Sequence, residues 1–266
     1  MDRAEQGQVS REAAEIYEAF FVPALFREPA QRLVRSAAIG CGQRILDVAC
    51  GTGVVAREAA SAAGDPTSVT GLDNNDGMLA VASKVEPRID WQLGSAEALP
   101  FHDQQYDRVL CQFGLMFFEN RTAALREMMR VSRAGGHVLV AVWDSLERSP
   151  GYAAMVDLLR RLFGQRAADA LRAPFALGEP DALRGTFGKA GITDIRLARI
   201  DVTARFPSLE AWVRTDVRGW TLSDMIDENQ CGTLLQAARR ELAVFQQDDG
   251  SVAFPSPARL VQVTLE

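Results

Sequence analysis

Residues 45–53 read Ile45-Leu46-Asp47-Val48-Ala49-Cys50-Gly51-Thr52-Gly53, and twenty positions beyond Gly53 stands Asp73, closing a second apolar run. The apolar residues up to Val48 have the character of a buried parallel strand. Gly51 and Gly53 let the backbone turn tightly into a helix and let a ligand approach the main chain. A strand, a glycine loop, a helix and a second strand ending in an acid make up a nucleoside-cofactor site.

Working outward, short apolar runs alternate with amphipathic stretches from residue 43, the pattern of a doubly wound parallel sheet. Strands are predicted at 43–48, 67–73, 88–93, 106–112 and 136–143, with helices near 53–64, 76–84 and 120–132. The first forty residues read as a helical cap, broken into pieces by Pro23 and Pro29. After Trp143 the pattern changes. Helices are expected at 149–173 and 181–190, a strand at 192–203, helical pieces at 208–215 and 224–246, and a last strand at 259–265. The chain, residues 1–266, is expected to form one domain. Its segments 145–190 and 205–247 read as helical lid insertions.

Bulk properties narrow the function. The chain has 266 residues, 47% of them hydrophobic, enough for a sizeable core. A net charge of −6 argues against nucleic acid as the main partner. Cys41, Cys50, Cys111 and Cys231 make no C-x-x-C pair and no metal spacing, so no metal is expected and a reducing compartment is the simple reading. No apolar stretch approaches the roughly 20 residues of a membrane span, and the sequence is charged from Asp2 onward. These features predict a cytoplasmic protein without a membrane span. They leave the oligomeric state open.

In an open parallel sheet, ligands bind beyond the carboxyl ends of the strands. There the sequence places Asp47 and the Gly51-Thr52-Gly53 loop, then Asp73 and Asn74, then Ser95-Ala96-Glu97, then Gln112-Phe113. A carboxylate at Asp73 suits the two hydroxyls of a ribose, or caps the helix that starts near Asp76. Met78 lies against an adenine face or packs in the core. Glu97 is an acceptor at the adenine edge or a first-turn helix acid. Gly51 to Ala56 also fits G-x-G-x-x-A, which favours a nicotinamide dinucleotide. Against that, Asp47 would repel a pyrophosphate, the glycine pair falls late after the strand, and no Tyr-x-x-x-Lys set is present downstream. A ligand carrying an ammonium and a sulfonium suits Asp47 better, which puts S-adenosyl-L-methionine before NAD.

These spaced segments resemble the class I S-adenosylmethionine-dependent methyltransferases, closest to the branch containing the ubiquinone/menaquinone C-methyltransferases. ILDVACGTG is similar to the first motif, with Ala49 where glycine is commoner. VTGLDNNDGML resembles the ribose-acid segment, and SAEALPF with YDRVLCQFGLMFF the adenine and fourth-strand motifs. LREMMRVSRAGGHVLV, from Leu125, resembles the family's next helix and fifth strand, with Ala134 in place of the usual proline. The resemblance implies a seven-stranded, mainly parallel sheet of order 3-2-1-4-5-7-6 with strand 7 antiparallel. It implies that Asp47, Ala49, Gly51 and Thr52 hold the methionine part, Asp73 the ribose, Ser95 and Ala96 the adenine, and that Gln112 sits beside the methionine. Tyr17 resembles aromatic residues that close over the cofactor, or is a core tyrosine.

The expected reaction is in-line methyl transfer to a small, apolar or aromatic acceptor. Phe20, Phe21, Phe117, Trp143, Trp212 and Trp220 are candidates to roof the acceptor, or else belong to the core of the lid. Arg214 and Arg218 flank Trp220 and would meet an acidic group, or are solvated. His102 and His137 read as surface or structural residues. Asp144 and Glu119 are weak candidates for a base, and the catalytic set stays unknown. A protein that binds the cofactor without transferring from it is the alternative, ahead of an NAD-dependent dehydrogenase.

Overall fold

The computed structural model describes residues 11–218, 222 and 225–266. Seven strands form its main sheet: β1 (Ile45–Val48), β2 (Val69–Asp73), β3 (Asp90–Leu93), β4 (Tyr106–Gln112), β5 (Ser132–Trp143), β6 (Arg196–Ile200) and β9 (Ala258–Thr264). Their order across the sheet is β3-β2-β1-β4-β5-β9-β6. Every residue of β1 and β2 is buried, as a central parallel strand covered on both faces requires. β9 runs antiparallel to both β5 and β6. The expected order, with the last strand inserted and reversed, is the order observed.

Helices α3 (Val54–Ala63), α4 (Asp76–Val85) and α5 (Arg121–Val131) connect the parallel strands. They stand within a few residues of their predicted limits. Their starts are marked by Gly53 in the left-handed region and by side-chain caps, Asn75 for α4 and Asn120 for α5.

The structure departs from the sequence reading at three places. The proline-bearing N-terminal segment does not break. It runs as α1 (Arg11–Ile16), a π-helix (Tyr17–Phe26) containing Pro23, and α2 (Arg27–Ala37) with Pro29 in its first turn. A proline removes one helical hydrogen bond and crowds the preceding turn. Here the segment carrying it winds as the wider π form.

The predicted helix 149–173 divides into α6 (Pro150–Phe163) and α7 (Gln165–Arg172), because Gly164 adopts φ 85° between them. The predicted strand 192–203 contributes β6 to the main sheet. A second piece, β7 (Thr203–Phe206), pairs instead with an unanticipated strand, β8 (Val252–Pro255), in a separate two-stranded ribbon. Helices α8 (Pro180–Lys189), α9 (Leu209–Arg218) and α10 (Glu228–Glu241) complete the described chain. The segment expected to be a helical lid therefore includes part of a β-ribbon. α9 packs against α1 and the π-helix. Among the described residues, no helix is long and apolar enough to cross a membrane.

Candidate cofactor site

The carboxyl ends of β1, β2 and β4 open into a cavity of about 260 Å³. Its floor is the loop after β1. Ala49 and Gly51 both hold positive φ there, 56° and 55°, and an added Cβ on Gly51 would meet nothing within 4 Å. Gly53, also at positive φ, has a second reason to be small. A Cβ there would stand 2.3 Å from the Trp91 ring, and one on Gly71 would stand 2.4 Å from it. The Trp91 indole donates to the Glu86 carbonyl at 2.9 Å, which fixes the ring over both glycines.

Asp73 is held by backbone donors. Its Oδ2 accepts from the Gly51 amide at 2.8 Å and its Oδ1 from the Asn75 amide at 2.9 Å. The carboxylate keeps spare lone pairs, and it lines the cavity beside Asn74. Burial pushes its pKa up, while the amides of Gly51, Asn75 and Asn74 oppose the rise. Asn75 caps α4 by accepting from the Met78 amide, so the capping task considered for Asp73 belongs to its neighbour.

The remaining walls come from the ends of the next strands and from the N-terminal helix. Ser95, Ala96 and Glu97 lie on the adenine-candidate side. Ser95 Oγ accepts from the Glu97 amide at 3.1 Å, and Glu97 Oε1 accepts from the Asn120 amide at 2.8 Å. Gln112 is buried and donates through Nε2 to the Phe26 carbonyl at 3.1 Å. Its Oε1 has no partner among the described residues. Phe113 holds φ 57°, a strained value for a bulky residue and of the kind that collects at functional sites. Tyr17 stacks on Phe26 with ring centroids 4.9 Å apart, and both face the cavity. Met78 lines the cavity while packing with Ala14 and Val81.

All the cofactor candidates except Asp47 and Thr52 thus border one cavity. Asp47 lies behind the loop, 1% exposed, and accepts from the Ala56 amide at 2.9 Å. Burial raises its pKa to about 8, and the nearby Asp73 charge adds to the rise. In this position its carboxyl shapes the turn into α3. Thr52 is also buried, and its carbonyl accepts from Arg57. The sequence reading does not find Phe26, Leu72, Gly94, Gly114 and Phe118, which also line the cavity. Gly71, a glycine inside a strand, is the available sign of a close approach by another group.

Of the acceptor candidates, Phe117 lines the cavity. Phe20 is 49% exposed and Phe21 is fully buried. Trp143 stacks on Phe113 at 3.8 Å between centroids. Trp212 is fully buried in a cluster with Tyr152, Phe206 and Phe254. Arg214 and Arg218 both pair with Glu228 at the surface. Trp220 lies outside the described residues. Asp144 is fully buried and ion-paired to Arg259 at 2.8 Å, away from the cavity lining, whereas Glu119 borders the cavity. His102 and His137 are not among the lining residues. No cluster of metal-ligating side chains occurs among the described residues.

The electrostatic balance of the cavity is one-sided. Asp73, Glu97 and Glu119 line it, and among the described residues no lysine or arginine does. An anionic diphosphate would find no counter-charge on these walls. A ligand with an ammonium or sulfonium group would find carboxylates and the spare Gln112 oxygen.

Residues 45–136 match a family described as a methyltransferase domain. A demethylmenaquinone methyltransferase of Renibacterium salmoninarum is 40% identical over 120 residues, covering 45% of this chain and 49% of that protein. A ubiquinone/menaquinone biosynthesis C-methyltransferase of Burkholderia cenocepacia is 36% identical over 127 residues, 44% of this chain and 51% of that protein. The chain spans about half the length of the curated relatives it matches. Among solved structures, a putative methyltransferase from Anabaena variabilis superposes with TM-score 0.65 at 17% identity, covering 90% of this chain and 97% of that one. Phosphoethanolamine N-methyltransferase 2 of Haemonchus contortus, solved with S-adenosyl-L-methionine, gives TM-score 0.61 at 17% identity, covering 97% and 58%. Likeness at that identity bears on the fold alone.

Proposed function

We infer that this chain, whose residues 45–136 match a methyltransferase-domain family and whose sheet has the order β3-β2-β1-β4-β5-β9-β6, is an enzyme that moves a methyl group from S-adenosyl-L-methionine to a small, apolar or aromatic acceptor. The observation that carries this reading is the charge of the cavity, with carboxylates and an unpartnered Gln112 oxygen on its walls and no cation among its lining residues.

The residues fit the group. Asp73 would take the ribose hydroxyls, Gly51 would offer open backbone, Ser95 and Ala96 would edge the adenine, Gln112 would face the methionine part, and Tyr17 would cover the site. When bound, the cofactor supplies an electrophilic methyl on sulfur, transferred to a nucleophile's lone pair as the S–CH3 electrons return to sulfur.

The protein's task is alignment and exclusion of water. Phe113, Phe117, Phe118, Tyr17 and Phe26 give the cavity an aromatic wall, which favours a flat or apolar acceptor. Glu119, which lines the cavity, is the carboxylate that would take a proton from a phenolic or amine acceptor. Two of the relatives are a demethylmenaquinone and a ubiquinone/menaquinone methyltransferase, so quinone-like compounds head the acceptors to try.

A methyl-transfer assay against phenolic, amine and quinone-like acceptors, reading S-adenosylhomocysteine release, tests this reading. Turnover with one class supports it. Binding of the cofactor with no turnover on any class would turn the assignment to a non-catalytic binding protein.

A further inference from the structure

The π-helix lends the cavity Tyr17 from its start and Phe26 from its end, and it is tied to the rest of the fold at both ends. At the C-terminal end the buried Gln112 amide donates to the Phe26 carbonyl. At the N-terminal end Arg57 Nη2 donates to Glu18 Oε1 at 2.7 Å, the two side chains being 20% and 19% exposed. Arg57 belongs to α3, and its Nη1 donates to the Thr52 carbonyl of the glycine loop. A single guanidinium therefore joins the covering helix to the loop beneath the cavity. Between the two ties lie Tyr17 and Phe26, stacked and facing inward.

The two fastenings differ in kind. The Gln112 bond is a neutral amide-to-carbonyl contact in the interior. The Glu18–Arg57 contact is a partly exposed ion pair that salt weakens and water can replace. The other Glu18 oxygen, Oε2, is buried without a hydrogen-bond partner among the described residues. The charged end is thus the end with less to lose on opening.

We propose that Glu18 and Arg57 are positioning residues that latch the N-terminal helix over the bound cofactor and shape the loop below it, so that they set the rate of cofactor exchange. The inference rests on the reading of the cavity as an S-adenosylmethionine site. Arginine suits the task because its planar fork reaches a carboxylate and a carbonyl together, which a lysine does not.

The test is stopped-flow release of S-adenosylhomocysteine from the full chain and from Glu18→Gln, Arg57→Gln, Arg57→Lys and the Glu18→Gln/Arg57→Gln pair, with circular dichroism to check folding. Either glutamine variant should speed release about fivefold, the upper end of the effect for a partly exposed ion pair. The double variant should add little beyond the faster single one, and Arg57→Lys should recover part of the loss. Raising sodium chloride to about 0.5 M should speed release from the parent and not from the glutamine variants. Release rates unchanged in folded Glu18→Gln, or additive effects in the double variant, would overturn the latch. No binding of S-adenosylhomocysteine to the parent would instead overturn the reading of the cavity itself.

Discussion

The backbone amide of Gly51 donates to Oδ2 of Asp73 at 2.8 Å, joining the loop after β1 to the acid at the end of β2 across 22 positions of chain. This bond makes the two halves of the cavity floor one unit. The acid that would take a ribose also holds the glycine turn in place.

Asp73→Ala removes both functions. Affinity for S-adenosylhomocysteine should fall by about 1–3 kcal/mol, the scale for stranding a buried polar partner, as read by isothermal titration. Asp73→Asn keeps one acceptor oxygen and should fall between the parent and the alanine variant. Unchanged affinity in Asp73→Ala would remove this residue from the site.

Trp91 sets a second expectation. Its ring, anchored on the Glu86 carbonyl, would lie 2.4 Å from a Cβ at Gly71. Gly71→Ala should therefore destabilise by about 1–3 kcal/mol through overpacking, seen as a lowered thermal midpoint. In a Trp91→Leu background, where the rigid ring is gone, the same substitution should cost less. An equal loss in both backgrounds would show that Trp91 is not what excludes a side chain.

Asp47 carries a pH signature. Its carboxyl holds a proton in the folded chain up to about pH 8, and in the unfolded chain only to about pH 4. Between these values the folded state binds more protons, so rising pH costs stability through this residue. The contribution is absent below about pH 4, grows through the window and levels off above about pH 8. Asp47→Asn still offers an oxygen to the Ala56 amide and does not titrate. Its stability relative to the parent should rise from about pH 5 to about pH 8, measured by urea unfolding at each pH. A difference that stays constant with pH would contradict the buried, protonated carboxyl.

Trp212 separates lid packing from ligand contact. It is fully buried against Tyr152, Phe206 and Phe254 and does not border the cavity. Trp212→Ala should cost about 3–5 kcal/mol of stability, while leaving S-adenosylhomocysteine affinity within about twofold at a temperature where the variant is folded. A large loss of affinity in the folded variant would place Trp212 at the ligand.

The sequence is legible where local pattern and final environment agree. β1 (ILDV) and β2 (VTGLD) are buried along their whole length, so short, mainly apolar stretches that each carry an acid locate them, and the glycine loop with Asp73 locates the cavity floor. The pairing of β7 with β8 joins residues about fifty apart, a long-range choice that alternation within either segment does not encode. Proline signals breaks in most helices, and the π form around Pro23 evades that rule. Charge alone assigns Asp47 to the ligand. Its burial and its bond to the Ala56 amide depend on how α3 starts, a tertiary fact. Aromatic residues such as Trp143 and Trp212 look alike in sequence whether they line a cavity or fill a core, and only packing separates them.

The account stands on a cavity built for a cationic nucleoside and not for a diphosphate. The most direct test is calorimetric titration of the purified chain with S-adenosylhomocysteine and, separately, with NADH. The prediction is one site for the first ligand with a dissociation constant of micromolar order, about −8 kcal/mol, and no measurable heat from the second. Binding of NADH, or a silent titration with S-adenosylhomocysteine, would contradict it.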